Sequence, residues 1–179
     1  MKINFVIKVK NHLSLKYVGA DEEKALKERS TKEEAEAHAY RLPNGNLAIP
    51  NSHVCGCLRD YLISHAGDKK KKITEEQVRP RLRIEPVMLD TGIKDYTIDS
   101  RLVLVKKSGR IASIIRCSRP LIPECKISGT LVTTLDRTIE DLHRDLNGAL
   151  QEIGMGSDRI EGYGRGEVIS FLEEKGVTP

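Results

Sequence analysis

Residues 138–172 read TIEDLHRDLNGALQEIGMGSDRIEGYGRGEVISFL, a pattern that predicts a helix, a glycine-rich loop and a strand in succession. The helix is expected over residues 138–153 and the strand from Glu167 onward. Apolar residues recur in the helix at helical spacing, at Ile139, Leu142, Leu146 and Leu150. The loop, residues 154–166, holds five glycines and two arginines. Because glycine-rich backbone can leave N–H groups open, we expect this loop to receive an anion.

A second motif lies at residues 49–59, which read IPNSHVCGCLR. This is the pattern of a turn followed by a helix start, and Ser52 is expected to cap that helix with its hydroxyl. The positive end of the helix can also receive an anion. Arg59 follows about two turns later. Together the two motifs indicate a chain that holds a phosphate backbone.

Strand patterns surround these motifs. Residues 3–9 alternate apolar and polar side chains, which predicts a half-buried strand. A hairpin is expected at Asn44-Gly45 and a turn at Ser108-Gly109. Further extended segments are expected over residues 82–89, 101–107, 111–118 and 125–133.

The order of these elements indicates the fold. Residues 21–38 are charged and helix-prone, so we treat them as part of an insertion. Without insertions at about 11–40 and 67–100, the order is β-α-β-β-α-β. That order predicts an α+β fold of the ferredoxin-like kind, with a four-stranded antiparallel sheet and two helices on one face. We expect a single domain over residues 1–179.

Charge is segregated along the chain although the formal net charge is only +4. Residues 69–83 hold seven basic and two acidic residues, and residues 101–126 hold seven basic and one acidic residue. The remaining residues must therefore be net acidic. Such segregation creates a positive face and favours an anionic partner.

Composition narrows the class of protein further. No stretch approaches the roughly 18 apolar residues of a membrane span, and the N-terminus alternates like a strand. We therefore expect a cytoplasmic protein with no membrane partner. The four cysteines lack zinc-ligand spacing, so reduced thiols are expected, with no metal and no cofactor. Aromatic residues form only 4% of the chain, so base stacking on an open sheet is not expected to drive binding.

The two motifs, in this element order, resemble those of the RAMP superfamily, the ferredoxin-like proteins of CRISPR effector complexes. Residues 50–59 are similar to that family's Pro-x-Ser-Ser-φ-Lys-Gly-x-φ-Arg pattern and keep its proline, first serine, glycine and arginine. His53 and Cys55 replace its second serine and its lysine. Residues 160–168 are similar to the family's Ser-Arg-Gly-φ-Gly-Arg-Val loop.

Within that superfamily the chain looks most like the subunits that line up along guide RNA. The resemblance implies sequence-independent binding of guide RNA by a repeating backbone subunit, in antiviral defence. Its implied partners are RNA or single-stranded DNA, other effector subunits and further copies of the chain on RNA. The thumb-like hairpin of such subunits would correspond to residues 102–115 or to the 67–100 insertion. The expected RNA contacts are Asn51, Ser52, Arg59, Lys106, Lys107, Arg110, Gly162, Tyr163, Gly164 and Arg165.

Two alternatives stay open at this point. The chain could be a stand-alone viral or plasmid protein that binds nucleic acid or interferes with a CRISPR complex. It could also be a RAMP-type RNA endonuclease, although we favour a function without catalysis. Some relatives cut RNA with an aspartate and a metal ion, for which Asp21 is the candidate. Others use a histidine general base, for which His53 is a better candidate than His12.

Overall fold

The computed structural model describes residues 1–16, 30–65, 74–107, 110–157 and 159–174, and over 103–115 it describes the backbone. In chain order the strands are β1 (Lys2–Lys10), β2 (His12–Leu13), β3 (Ala48–Pro50), β4 (Leu82–Glu85), β5 (Met88–Asp90), β6 (Thr97–Lys107), β7 (Arg110–Ile122), β8 (Cys125–Thr133) and β9 (Arg165–Glu173). The helices are α1 (Thr31–Ala37), α2 (Asn51–Ser64), α3 (Glu75–Val78) and α4 (Ile139–Gly148).

The main sheet confirms the predicted ferredoxin-like fold. Its strand order is β4-β8-β1-β9, and each neighbouring pair is antiparallel. Following the chain through β1, α2, β4, β8, α4 and β9 gives the expected β-α-β-β-α-β order. The first and third strands of that series lie in the centre, as the split βαβ plan requires.

The core lies between this sheet and the two helices α2 and α4. Alternate residues of β1 point into it, as the pattern predicted, and Ile3, Phe5 and Ile7 are at most 1% exposed. Val54, Leu58 and Leu62 of α2 and Leu142, Leu146 and Leu150 of α4 belong to the same buried cluster. Burying a large apolar side chain contributes about 1.5–3 kcal/mol, so this cluster provides most of the driving force for folding.

The predicted helix over residues 138–153 is confirmed, with a change of geometry near its end. The Thr138 hydroxyl accepts a hydrogen bond from the Asp141 amide at 3.1 Å and so caps α4. The last turn, Ala149–Ile153, is a π-helix. It ends at Gly154, whose φ of 79° favours glycine.

The predicted start of α2 is wrong by two residues. Pro50 occupies the N-cap position, and no side chain caps this helix. Ser52 therefore lies inside the first turn, where it is exposed. The reason is that β3 runs directly into the helix while the Asn51 amide donates to the Val87 carbonyl at 2.8 Å. A tertiary hydrogen bond thus takes the place of the expected serine cap.

The last strand begins at Arg165 and carries a β-bulge. Val6 lies opposite Ser170 and Ile7 opposite Val168, so Ile169 is the extra residue. In a regular strand Val168, Ser170 and Leu172 would share one face. The bulge instead places Val168 and Phe171 against the core, while Ile169 and Leu172 are 49% and 67% exposed.

A long hairpin is inserted between β4 and β8. Its strands β6 and β7 have 11 and 13 residues, longer than the two predicted segments. The pairing runs from Thr97–Leu121 at the base to Lys107–Arg110 at the tip, and the predicted turn at Ser108-Gly109 lies outside the described residues. At the base, β2 pairs with β7, and α1 packs against the hairpin. The Asn44-Gly45 segment forms a tight turn closed by a single bridge between Arg41 and Leu47.

Candidate nucleic-acid interface

The first turns of α2 form one side of a small surface cavity. The cavity measures about 190 Å³. It is lined by Ser52, Cys55, Gly56, Arg59, Arg79 and Leu82. The sequence analysis named Ser52 and Arg59 as RNA contacts, and the structure places them in one cavity with a second arginine from the turn after α3. Two guanidinium groups and a hydroxyl are groups that bind phosphate oxygens.

Arg59 is already engaged by acidic side chains. Its guanidinium contacts Asp60 and Glu75, each at 3.0 Å. Asp60 also accepts from Arg159 of the glycine-rich loop at 3.0 Å. Asp60 thus joins the two motifs that the sequence analysis singled out, although about a hundred residues separate them. Arg159 was not among the predicted contacts, and only its position inside the loop could have suggested it.

Asn51, another predicted contact, has a structural role. Its side-chain amide donates to the Ile84 carbonyl at 2.5 Å, and its backbone amide is bonded to Val87. Both bonds tie the start of α2 to the segment around β4. The side chain is half-buried, and its remaining capacity toward a ligand lies in the amide oxygen and the second amide hydrogen.

The expectation that the glycine-rich loop leaves its amides open is wrong for several residues. The amides of Gly162 and Gly164 donate to the carbonyls of Arg159 and Asn11, at 3.0 and 3.2 Å. The amides of Gly154, Met155 and Ser157 are also hydrogen-bonded, to Ala149, Gly164 and Leu13. The loop is therefore folded onto itself and onto the corner between β1 and β2. Any phosphate contact there has to come mainly from side chains.

Close packing explains why glycine is needed in this loop. Gly164 has φ +67°, and a Cβ at this position would overlap the Met155 carbonyl oxygen. Gly162 also has positive φ, +88°, but a Cβ there would meet nothing within 4 Å. Glycine is thus required at residue 164 by packing and by backbone conformation, and at residue 162 by backbone conformation alone.

Tyr163 connects the loop to the base of the long hairpin. Its hydroxyl accepts a hydrogen bond from Arg101 of β6 at 2.6 Å, and the guanidinium lies 5.2 Å from the tyrosine ring centre. Arg101 also pairs with Glu161 and, at 2.7 Å, with Asp99. Sequence reasoning missed this link, because no local signal connects β6 to the loop. Arg165, the last predicted residue of the loop, donates to the Gln151 carbonyl at 2.5 Å.

Three predicted contacts lie at the far end of the hairpin. In the pairing register, Lys107 faces Arg110 and Lys106 faces Ile111. Along β6, Lys107 at the tip is six residues beyond Arg101, the residue that contacts the glycine-rich loop. At about 3.3 Å per residue, the tip lies roughly 20 Å from that contact. The structure therefore gives two separate basic regions: the α2–loop region at the body and the hairpin tip.

His12 and His53 form a pair beside the same loop. Nδ1 of His53 lies 3.3 Å from Nε2 of His12, and Tyr40 meets His53 edge-on with a centroid distance of 6.2 Å. Burial and the neighbouring His53 lower the pKa of His12 to about 3. Burial and the charge of Arg159 lower the pKa of His53 to about 4. Both rings are neutral at pH 7, which suits a general base better than a general acid.

Other predicted features lie outside this region. Asp21 and the lysine run at 69–72 fall outside the described residues. Within the described ranges, no group of three or more His, Cys, Asp and Glu side chains could hold a metal ion. Among the helices that the structure describes, none is long and apolar enough to cross a membrane.

Comparison with known proteins gives structural relatives only. No protein-family model matches the chain, and no curated protein matches it. A chain of the type III-B Cmr-beta complex bound to cognate target RNA matches with a TM-score of 0.56 and 13% identity, over 95% of this chain and 59% of that one. A Cas6 product complex matches with a TM-score of 0.39 and 13% identity, over 93% of this chain and 51% of that one. The chain thus spans between half and three fifths of the length of these two proteins.

The first of these similarities shows a shared fold. Nearly the whole chain superimposes on part of a chain of the type III-B Cmr-beta complex, which agrees with the ferredoxin-like sheet described above.

Proposed function

We propose that this chain binds RNA without sequence preference, as a repeating subunit along guide RNA in a CRISPR effector complex. One observation carries the proposal: a long hairpin with basic residues at its tip is inserted between β4 and β8 of a fold shared with a type III-B Cmr-beta chain. Fold alone does not assign function. The charge and position of the hairpin supply the additional argument.

The hairpin is suited to reach along a nucleic-acid backbone. Eleven paired residues at about 3.3 Å each extend it by roughly 36 Å. Lys106, Lys107 and Arg110 concentrate three positive charges at the end. Charges on such an arm attract phosphates of any sequence, and each phosphate of a single strand that is neutralised steepens the salt dependence of binding by about 0.7 units.

The α2–loop region supplies a second point of contact. Arg59 and Arg79 line the cavity beside Ser52, while Arg159 lies on the loop side of Asp60. A phosphate that enters must compete with Asp60 and Glu75 for Arg59. This exchange of partners reduces the net gain from Arg59, so we expect the hairpin tip to dominate affinity.

Two basic regions on each subunit would allow copies of the chain to repeat along one RNA strand. Because tip and body are roughly 20 Å apart, one strand can contact the body of one copy and the tip of the next. Further copies of the chain and other effector subunits are thus the proposed partners. Single-stranded DNA offers the same phosphates, and the 2′-hydroxyl is the group that would distinguish RNA.

The hairpin charge can be tested directly. We expect the triple variant Lys106→Glu/Lys107→Glu/Arg110→Glu to lose most of its affinity for a labelled 30-nucleotide single-stranded RNA and to reduce the salt slope by about two units. The matched control is Lys16→Glu/Lys32→Glu/Lys94→Glu, which reverses three exposed lysines away from the tip. Equal affinity of the triple variant and the wild type, with an unchanged salt slope, would contradict the proposal.

The histidine pair favours one second candidate function, metal-independent RNA cleavage. In this reaction a 2′-hydroxyl attacks the adjacent phosphorus, its proton passes to Nε2 of His53, and the bond to O5′ breaks. The products are a 2′,3′-cyclic phosphate and a 5′-hydroxyl that takes its proton from water. For this step Nδ1 of His53 carries a hydrogen and donates to Nε2 of His12.

Cleavage is tested with a labelled RNA in the presence of a chelator. A cyclic-phosphate product that disappears in His53→Ala, with the RNA still bound, would support this second function. Intact RNA after prolonged incubation with the wild-type protein would exclude it under those conditions.

A further inference from the structure

The open face of the main sheet contains a depression that neither proposed function uses. It lies on the side away from α2 and α4 and measures about 340 Å³, within the range of small-ligand pockets. Its lining includes Asn4, Val6, Ser128, Thr130, Ser170 and Leu172.

The strand register explains why a depression forms there. Asn4 lies between Thr130 and Leu172, and Val6 lies between Ser128 and Ser170. Most side chains in these two outward-facing rows are short, so the sheet surface is low at its centre. Beneath the surface, Gly129 leaves room for the Phe5 ring, which a Cβ at residue 129 would meet at 2.9 Å.

Hydrogen-bonding groups and apolar carbon are mixed in this depression. The Thr130 hydroxyl donates to the Asn4 side-chain oxygen at 2.8 Å, which leaves the Asn4 amide group as a donor toward the depression. Ser128 and Ser170 add hydroxyls, and Leu172 contributes an apolar wall that is 67% exposed. A planar ring with a polar edge fits such a site better than an aliphatic or a charged ligand does.

Basic side chains flank the depression at both ends of β1. At one end, Lys2 of β1 and Arg83 of β4 lie on either side of Val132 of β8. Arg83 forms an ion pair with Glu85 at 2.8 Å. At the other end Lys8 lies directly opposite Lys126.

Directly opposed like charges destabilise a strand pair unless an anion neutralises them. Glu124 contacts Lys8 at 2.8 Å, and Glu167 lies opposite Lys8 on β9. Among the described residues no ion pair within 4.0 Å involves Lys2 or Lys126, although Glu124 lies within electrostatic reach of Lys126.

We propose that this face is a second nucleic-acid site, which holds one unstacked nucleobase of a single strand in the depression. The inference rests on the proposed function in assuming a nucleic-acid partner. The base contacts Leu172 and Val6 with its face and bonds Asn4 and Ser128 with its edge. The flanking phosphates bind Lys2 on one side and Lys8 with Lys126 on the other. Lys2 and Lys8 are six residues apart, roughly 20 Å, which several nucleotides can span.

Two pairs of variants test the site with a fluorescein-labelled 12-nucleotide oligouridine RNA. Leu172→Glu places a carboxylate at the wall, and Ile169→Glu is its control on the same strand, because Ile169 does not line the depression. Lys126→Glu removes a flanking charge, and Lys94→Glu makes the same charge change elsewhere. We expect about tenfold weaker binding for the first member of each pair and less than about threefold for its control.

Photo-crosslinking of wild-type protein with 4-thiouridine RNA gives a second measurement that needs no variant. Crosslinks within residues 2–10 or 126–132 are expected. Binding that is equal in all four variants, with crosslinks confined to other segments, would overturn this inference and leave the proposed function standing. A wild-type protein that binds no RNA at low salt would overturn both.

Discussion

His12 and His53 are the residues whose chemistry depends most on their surroundings. Each ring is held neutral by burial, with folded-state pKa values of about 3 and about 4, below the ordinary histidine value near 6.5. The unfolded chain therefore binds more protons than the folded chain below pH 6.5. The stabilising effect of neutral histidines is complete above that pH and is lost as the pH falls toward 4 for His53 and toward 3 for His12.

This titration predicts that the protein loses stability between pH 6.5 and 5, where most carboxylates are still ionised. Between pH 6.5 and 5 we expect the free energy of unfolding to fall by about 1 kcal/mol per pH unit for each histidine. His53→Gln should roughly halve the slope, while the exposed His143→Gln should leave it unchanged. The measurement is urea unfolding at several pH values, and a slope that is the same in the wild type and His53→Gln would contradict it.

Gly162 and Gly164 allow packing to be separated from backbone conformation. Both have positive φ, so alanine at either position is expected to cost about 1–2 kcal/mol in backbone strain. At Gly164 the new methyl also overlaps the Met155 carbonyl, so Gly164→Ala should be more destabilising than Gly162→Ala by at least about 1 kcal/mol. Thermal unfolding of the two variants measures the difference. Equal stabilities would show that the loop is not packed as described.

At the scale of elements, the link between the hairpin and the loop determines how the two basic regions are arranged. The guanidinium of Arg101 contacts Asp99, Glu161 and Tyr163 at the same time. Lysine retains the charge but lacks the planar fork that reaches several acceptors at once. Arg101 is therefore expected to position the hairpin relative to the body.

Arg101→Lys tests this role. We expect amide hydrogen exchange in residues 159–164 to become about tenfold faster, because charge-assisted hydrogen bonds contribute about 1.5–3 kcal/mol each. Exchange in the main-sheet strands β1 and β8 serves as the internal reference and should not change. Loop protection that matches the wild type would mean that the loop holds its conformation without Arg101.

Elements with strong local patterns could be predicted from the sequence. The alternation in β1 and the helical stripe of α4 are local, and the structure confirms both. The start of α2 and the bulge in β9 could not be predicted, because a hydrogen bond to Val87 and a register shift against β1 determine them. Likewise, glycines indicated a loop, but only its contacts with Asn11 and Leu13 show that its amides are engaged.

For the whole molecule, charge distribution matters more than net charge. The hairpin tip and the arginines around α2 are far apart in sequence, and the fold places them in two separate basic regions. The fold similarity to a type III-B Cmr-beta chain and this charge pattern are independent observations. Together they lead to the central claim that copies of the chain assemble on RNA.

The most direct test is to purify the protein without nuclease and to measure its absorbance ratio at 260 and 280 nm and its mass by light scattering. Both are repeated after ribonuclease treatment and in high salt. The account predicts a high ratio and a large particle that collapses to monomers when the RNA is digested. A particle free of nucleic acid that does not bind added RNA at low salt would contradict it and favour a protein that interferes with a CRISPR complex.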